Sequence, residues 1–264
     1  MRPALIATDL DGTFVDAVGE VSQVNRAALE FAARQGVPVV VATGRPSRWL
    51  GVLDDLPGIH PQVVVSNGAG IFDLVQGEHT VVHGLDRQVA LSVADDLRAA
   101  VPGLMFALEW GGHFGCEPEL KQERGEWLRV GSLAELAAEP EPVLKLCAFH
   151  AELDSDELAL RGGAVIADRL TVTHSHLGEY GLLEISAPEV TKASGLAALC
   201  AGLGVSAAQV AAFGDMPNDL PMLAWAGQGF AIAQGHRLLH EAGFALTEGP
   251  PEEAVGRTIM RLLT

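Results

Sequence analysis

The chain has 264 residues, 48% of them hydrophobic and 19% charged, with a formal net charge of −17. This is globular composition rather than disorder, and the length suits one large core or a core carrying an inserted domain. So acidic a chain repels phosphate backbones, which argues against nucleic acid and anionic membranes as partners, and any phosphate site must gather its cations locally.

The first eighty residues alternate short apolar runs with helical patterns. ALIAT reads as a buried strand. Residues 22–35 open with the Ser22 cap and end at Gly36, which predicts a helix. VPVVVAT is a second strand, residues 46–56 start with Pro46 as a helix can, and QVVVS is a third strand. Continuous apolar strands alternating with helices imply a parallel sheet covered on both faces. The pattern resumes late in the chain. Helices are predicted over 191–203, 217–226, 236–242 and 251–263, with strands in QVAAFG, GFAIA and FAL. The middle differs. Helical stretches near 86–100, 132–139 and 154–162 sit among strand candidates LMFALEW, HFGCE, VLKLCAF, LTVTHSH and GLLEIS, an α+β unit whose sheet has one solvated face. The predicted organisation is an α/β core over 1–82 and 187–264, with 83–186 inserted.

Three cysteines, Cys116, Cys147 and Cys200, have no metal or redox spacing. With an N-terminal apolar stretch broken by Asp9 and Asp11, they suggest a reduced, cytoplasmic protein. Only three lysines occur, Lys121, Lys145 and Lys192.

Four places carry chemistry. TDLDGT (8–13) follows the first strand, so Asp9 and Asp11 project to one side and Gly12 lets the chain turn. Paired carboxylates can hold a hard divalent cation, attack phosphorus or move protons. A strand-end Asp capping a turn would account for D-x-D alone. ATGRP (42–46) follows the second strand. There Thr43 offers a hydroxyl, Gly44 exposes backbone N–H groups, and Arg45 or Arg48 can hold an anion; a plain strand-to-helix turn explains it as well. Lys192 opens a helix, where the dipole slightly disfavours it; a solvated surface lysine is the plain alternative. In GDMPNDLPML (214–223), a helix opened by Pro217 would put Asp215 at its cap and Asp219 in its first turn, both near one cation. An acidic helix start would look the same. Their joint order, at strand carboxyl ends of one sheet, has no such plain account.

In that order the motifs resemble the haloacid dehalogenase (HAD) superfamily of phosphatases, specifically its Cof-like members with a class IIB (C2B) cap. The resemblance implies a Rossmann-like parallel-sheet core and an α+β cap, since the insertion falls between the second and third motifs. It implies a Mg²⁺-dependent phosphatase working through an aspartyl-phosphate on a small phosphorylated metabolite, a sugar phosphate first, as monomer or homodimer. Asp9 would be nucleophile and Asp11 general acid/base. Thr43 and Lys192 would hold the phosphoryl group. Asp9, the Asp11 main chain, Asp215 and Asp219 would serve the metal. Gly44, Arg45, Asn67 and Gly68 of SNGAGIF, Asn218 and His176 would lie near the substrate. The cap would close over the site, with Glu109, Trp110, His113, Phe114 and 174–176 as candidates for choosing the leaving group, although Trp110 and Phe114 read first as cap-core residues. His174 and His176 lack a third ligand at zinc spacing. Gln234–Gly235 and TEGPPEEAV depart from the family pattern and bear on substrate choice. A phosphomutase, or a non-catalytic ligand-binding protein of this fold, is the alternative.

Overall fold

The computed structural model describes residues 2–120 and 127–264, with Val81 described by its backbone alone; Lys121 lies outside the described residues. Two compact units emerge. The first comprises 1–45, 49–81 and 191–264, and the second comprises 46–48 and 82–190.

In chain order the first unit opens with β1 (Leu5–Thr8), α1 (Gln23–Arg34), β2 (Val39–Val41), β3 (Gln62–Val65), β4 (Gly70–Asp73) and all but the last residue of β5 (Glu78–Val82). The second unit holds α2 (Arg87–Ala100), β6 (Met105–Glu109), β7 (Phe114–Cys116), β8 (Leu128–Val130), α3 (Leu133–Ala137), β9 (Lys145–His150), α4 (Ser155–Ile166), β10 (Thr171–Thr173) and β11 (Gly181–Ser186). The chain returns to the first unit with α5 (Lys192–Leu203), β12 (Val210–Gly214), α6 (Leu220–Trp225), β13 (Gln228–Ala231), α7 (Arg237–Glu241), β14 (Ala245–Leu246) and α8 (Pro251–Leu263).

The main sheet is parallel, in the order β14-β13-β12-β1-β2. Its central strands β1, β2 and β12 are apolar but for Thr8 because both faces are covered. Ile6, Val39, Val41, Ala211 and Phe213 pack with Leu29 of α1 and Val255 and Ile259 of α8. Their neighbours in the chain, Leu5, Ala7, Val40, Ala42, Val210 and Ala212, pack on the other side with Leu196 and Leu199 of α5 and Met222 of α6. The period of two thus assigns alternate residues to two separate cores.

Two local expectations change. The third apolar run does not extend this sheet through a ladder. β3 forms an antiparallel sheet with β4 and β5, and a single parallel bridge, Ala42 to Val64, ties it to the chain beyond β2. Residues 46–56 form no α-helix but two 3₁₀ turns, Ser47–Trp49 and Gly51–Leu53. Leu50, Leu53 and Leu56 are buried there, spaced by three, which matches three residues per turn, and Gly51 weakens any longer helix.

In the second unit the sheet runs β10-β11-β9-β6-β7-β8, antiparallel except for β7 with β8. One face, with Phe106, Leu108, Leu146, Ala148, Leu183 and Ile185, packs on α2 and α4 through Val93, Leu97 and Leu158. The other face is not the open polar surface the alternation suggested. It carries Ala107, Phe114, Cys116, Cys147 and Phe149. Buried among its charges are the Lys145–Glu184 ion pair at 2.5 Å and the Arg48–Glu109 pair. Arg48 also lies over the rings of Phe114 and Trp127. Charges in the interior persist when each has an opposite partner, which is the case here.

Candidate active site

The sheet order decides what meets what. β1 lies between β2 and β12, so the residues that follow these three strands leave from neighbouring carboxyl ends. Asp9 follows β1, and its N–H donates to the Phe213 carbonyl of β12 at 2.9 Å. Asp215 follows β12 directly. One carboxylate oxygen from each of Asp9, Asp215 and Asp219 falls within 4.8 Å of the others.

Lys192 closes the cluster. Thr191 caps α5 and forms a reciprocal capping box with Ser194, which fixes Lys192 as the first helical residue. Its Nζ donates to Asp9 Oδ1 at 2.5 Å and to Asp219 Oδ1 at 2.7 Å. Lys192 and Asp219 are completely buried and Asp9 is nearly so. Asp219 also accepts hydrogen bonds at Oδ2 from the N–H groups of Asp215 and Met216, so its carboxylate shapes the turn that presents Asp215. Asp219 thus caps the 3₁₀ turn Pro217–Asp219 through the N-cap residue Met216.

The electrostatics suit a divalent cation. Burial, set against the nearby Lys192, and then the charges of Asp219 and Asp215 push the Asp9 carboxyl well above its ordinary value. Burial, then Asp219, pushes Asp215 up to about 7, with the Thr13 hydroxyl pulling the other way. Burial alone would lower Lys192, yet Asp219 and Asp9 raise it overall. Three converging carboxylates against one ammonium leave excess negative charge in a buried place. A hard divalent cation with oxygen ligands fits that donor set.

The rest of the site is built on one loop and one turn. Thr43 is fully buried; its N–H donates to the Val64 carbonyl at 2.8 Å, and its Oγ1 accepts from the Arg45 N–H at 3.0 Å. Gly44 lies between them. The Ser66 N–H donates to the Arg45 carbonyl and the Asn67 N–H to the Thr43 carbonyl, both at 3.0 Å. Ser66 and Asn67 are consecutive residues at positive φ, 50° and 57°. Such conformations are uncommon outside glycine and collect at functional sites. Gly68 continues at φ 98°, where a Cβ would come within 1.9 Å of the Thr191 carbonyl oxygen, so the turn lies directly against the start of α5. Asn218 Nδ2 donates to Asn67 Oδ1 at 3.0 Å, and Asn67 Nδ2, Asn218 Oδ1 and Ser66 Oγ are buried without a hydrogen-bond partner.

Asp11 stands at the edge. Its carboxylate takes Arg45 Nε at 2.8 Å and Nη2 at 2.5 Å. Gly12, at φ 74°, has no room for a side chain, because a Cβ would sit 2.4 Å from Asp215 Oδ2. His176 belongs to the second unit, where it stacks on Tyr180 with ring centroids 4.3 Å apart. The helix dipole expected at Pro46 is not provided by a long helix; the α-helix that starts in the site is α5.

Three participants escaped the sequence reading. Thr13 donates its hydroxyl to Asp215 Oδ1 at 2.7 Å across 202 positions of chain, though it is the last letter of TDLDGT. Ser66 was passed over beside Asn67. Ser194 was legible as the fourth residue of a T-x-x-S cap. The departing stretches also approach the site: His236 N–H donates to the Asp215 carbonyl at 2.7 Å, and Gly235 fits where a Cβ would meet that same oxygen at 2.8 Å. Thr247 Oγ1 accepts from the Ala233 N–H at 3.3 Å and steadies this turn.

Comparison with known proteins shows the family. The haloacid dehalogenase-like hydrolase family matches residues 6–259. The chain belongs to that family. Among curated relatives of this HAD enzyme, the 5-amino-6-(5-phospho-D-ribitylamino)uracil phosphatase of Bacillus subtilis is 27% identical over 259 residues, covering 97% of this chain and 94% of the relative. The phosphoglycolate phosphatase of Archaeoglobus fulgidus is 24% identical over 256 residues, covering 96% and 94%. A haloacid dehalogenase-like hydrolase from B. subtilis superposes with a TM-score of 0.82 at 25% identity, covering 99% of this chain and all of that one. A subclass IIB sugar phosphatase superposes with a TM-score of 0.81 at 19% identity over 97% and 98% of the two chains, a likeness of fold. Among the described residues, no helix is long and apolar enough to cross a membrane.

Proposed function

We propose that this HAD hydrolase is a Mg²⁺-dependent phosphatase that hydrolyses a small phosphomonoester, a sugar or polyol phosphate first, through a phosphorylated Asp9. The observation that carries the reading is the buried Lys192 ammonium held between Asp9 and Asp219, with Asp215 converging on the same point.

Asp9, Asp215 and Asp219 would hold the cation, with the Asp11 main chain as a further ligand. When bound, Mg²⁺ supplies positive charge that offsets the converging carboxylates and the phosphate oxygens. The residues do the rest. Lys192 favours the ionised form of Asp9, against the burial and neighbouring carboxylates that raise it, and offers a positive charge to the phosphoryl group. Thr43 accepts a hydrogen bond from Arg45 N–H, which leaves its own hydroxyl proton for a phosphoryl oxygen. The unpaired Nδ2 of Asn67 offers a further donor, and Gly68 lets the Asn67 turn lie against α5. Such preset donors act where charge spreads over the transferring group.

In the first half-reaction an Asp9 oxygen bonds to phosphorus as the ester P–O bond breaks, and Asp11 gives its proton to the departing oxygen. In the second, Asp11 takes a proton from water as that water bonds to phosphorus and the Asp9 carboxylate departs. We assign the choice of leaving group to the 83–186 insertion, with Glu109, His113 and His176 among its candidates. The substrates of the relatives, a phosphorylated ribitylamino compound, phosphoglycolate and a sugar phosphate, support a small hydroxylated leaving group.

The test is phosphate release from a panel of sugar, polyol and other small phosphomonoesters, in Mg²⁺ and in chelator, for wild type and Asp9→Asn. Release that requires both Mg²⁺ and Asp9 is expected. Isomerised sugar phosphate with little free phosphate would overturn the hydrolytic reading in favour of a mutase.

A further inference from the structure

Arg45 follows Thr43 by two residues and is the obvious cation to receive a substrate anion. The structure gives it other partners. Its Nε donates to Asp11 Oδ2 at 2.8 Å and its Nη2 to Asp11 Oδ1 at 2.5 Å, a two-pronged fork on one carboxylate. Its Nη1 donates to the Trp49 carbonyl at 3.0 Å. Three of the five guanidinium N–H groups therefore go to protein acceptors. The Arg45 backbone is fixed at both ends of the residue: its N–H meets Thr43 Oγ1, and its carbonyl receives the Ser66 N–H. Arg45 is thus anchored in the same loop that presents Thr43.

Asp11 is anchored differently. Its backbone lies in a tight turn, with Gly12 N–H bonded to the Val15 carbonyl. Its side chain is 55% exposed, against 22% for Arg45. An exposed carboxylate on a fixed backbone rotates unless something grips it. The fork grips both oxygens at once, which fixes the plane of the carboxyl as well as its position. Each oxygen keeps a second lone pair outside the fork, so proton exchange and pairing use different sites of the same group.

We propose that Arg45 is a positioning residue: its fork orients Asp11 toward the ester oxygen and the attacking water, and it does not serve as the main holder of the substrate phosphate. This rests on Asp11 being the acid and base of the phosphatase reading. A side chain displaced by an ångström at such a site can cost about 100-fold in rate. Arg45→Ala therefore lowers kcat by about 10- to 100-fold while KM stays within about threefold. Arg45→Lys recovers little, because an ammonium is a point charge that cannot fork.

The deciding experiment is a double-mutant cycle on kcat, with p-nitrophenyl phosphate as substrate and Mg²⁺ present: wild type, Arg45→Ala, Asp11→Asn and the pair. Residues that act as a unit are strongly non-additive. If Arg45 works through Asp11, its removal costs less than about twofold once Asp11 is already Asn. The same fold-loss in both backgrounds, or no loss in the wild-type background, overturns the proposal. The dissociation constant of inorganic phosphate, measured calorimetrically with Mg²⁺, is the second readout. Arg45→Ala should shift it by less than about threefold, and a weakening of about tenfold or more overturns the proposal in favour of a phosphate holder. If the wild type releases no phosphate from any ester, the phosphatase reading fails by itself, and the phosphate affinities still decide whether Arg45 is an anion holder.

Discussion

Lys192 and Asp219 form an ion pair at 2.7 Å in which neither side chain reaches solvent. The same ammonium also serves Asp9. Removing one member of a buried set strands the others. Lys192→Met should therefore abolish turnover and also destabilise the metal-free protein by about 3–5 kcal/mol, because two carboxylates lose their counter-charge. Denaturant melts in chelator check the second effect; a loss below about 1 kcal/mol would mean that the carboxylates find relief elsewhere.

Asp215 predicts an unusual pH dependence of stability. Burial and Asp219 hold its folded-state value up to about 7, whereas an unfolded Asp titrates near about 3.9. Between those values the folded chain binds a proton that the unfolded chain has released. Stability from this group is therefore lost as pH rises from about 4 to about 7, and the loss is complete above that. In chelator, melting temperature should fall across this window in wild type, and less so in Asp215→Asn. Added Mg²⁺ should raise the melting temperature more at pH 8 than at pH 5, because the ligands must be deprotonated to bind. Equal pH slopes for wild type and Asp215→Asn in chelator would contradict this.

Gly12 tests how tightly the first and fourth motifs interlock. A Cβ there would sit 2.4 Å from Asp215 Oδ2, and φ is 74°. Gly12→Ala should cost more than about 1 kcal/mol, since the native backbone suits only glycine. It should also displace Asp215 and so weaken Mg²⁺ binding by calorimetry. Unchanged Mg²⁺ affinity would show that Asp215 can move aside without consequence.

Much of this arrangement is legible in the residues themselves. β1, β2 and β12 stand out because both faces of their sheet are covered, so the strands are apolar at every position but Thr8. The helices at 23–34, 192–203 and 251–263 announce themselves by Ser22, Thr191 and Pro251 at their starts. The four motifs are local in sequence, and the sheet order converts them into one cluster. What stays hidden depends on long-range pairing. Nothing local says that Thr13 will reach Asp215, or that Arg45 will choose Asp11 over an anion. The paired positive φ of Ser66 and Asn67 is likewise imposed by the bonds to Thr43 and Arg45, not by propensity. The buried charges of the second unit were concealed for the same reason: Glu109, Lys145 and Glu184 look like a polar strand face until their partners are known.

That second unit carries its own prediction. Lys145 pairs with Glu184 at 2.5 Å, and Ser175 Oγ donates to the other Glu184 oxygen at 2.5 Å. Lys145→Met alone should destabilise by about 3–5 kcal/mol by leaving Glu184 buried and short of positive charge. The double variant Lys145→Met with Glu184→Leu should recover a large part of that loss, because an apolar pair of similar volume replaces an ion pair at little net cost. Additive losses in equilibrium melts would contradict a coupled pair.

The central claim is that Asp9 itself becomes phosphorylated. It is tested most directly by quenching the wild-type enzyme in acid during turnover of a small phosphomonoester with Mg²⁺, then locating any phosphate adduct by peptide mass spectrometry. The account predicts an acid-stable adduct on the Asp9 peptide, absent from Asp9→Asn. It also predicts that with p-nitrophenyl phosphate, whose leaving group needs no acid, the adduct accumulates further in Asp11→Asn, where water lacks its base. Continued phosphate release by Asp9→Asn, or an adduct on a different residue, would contradict it.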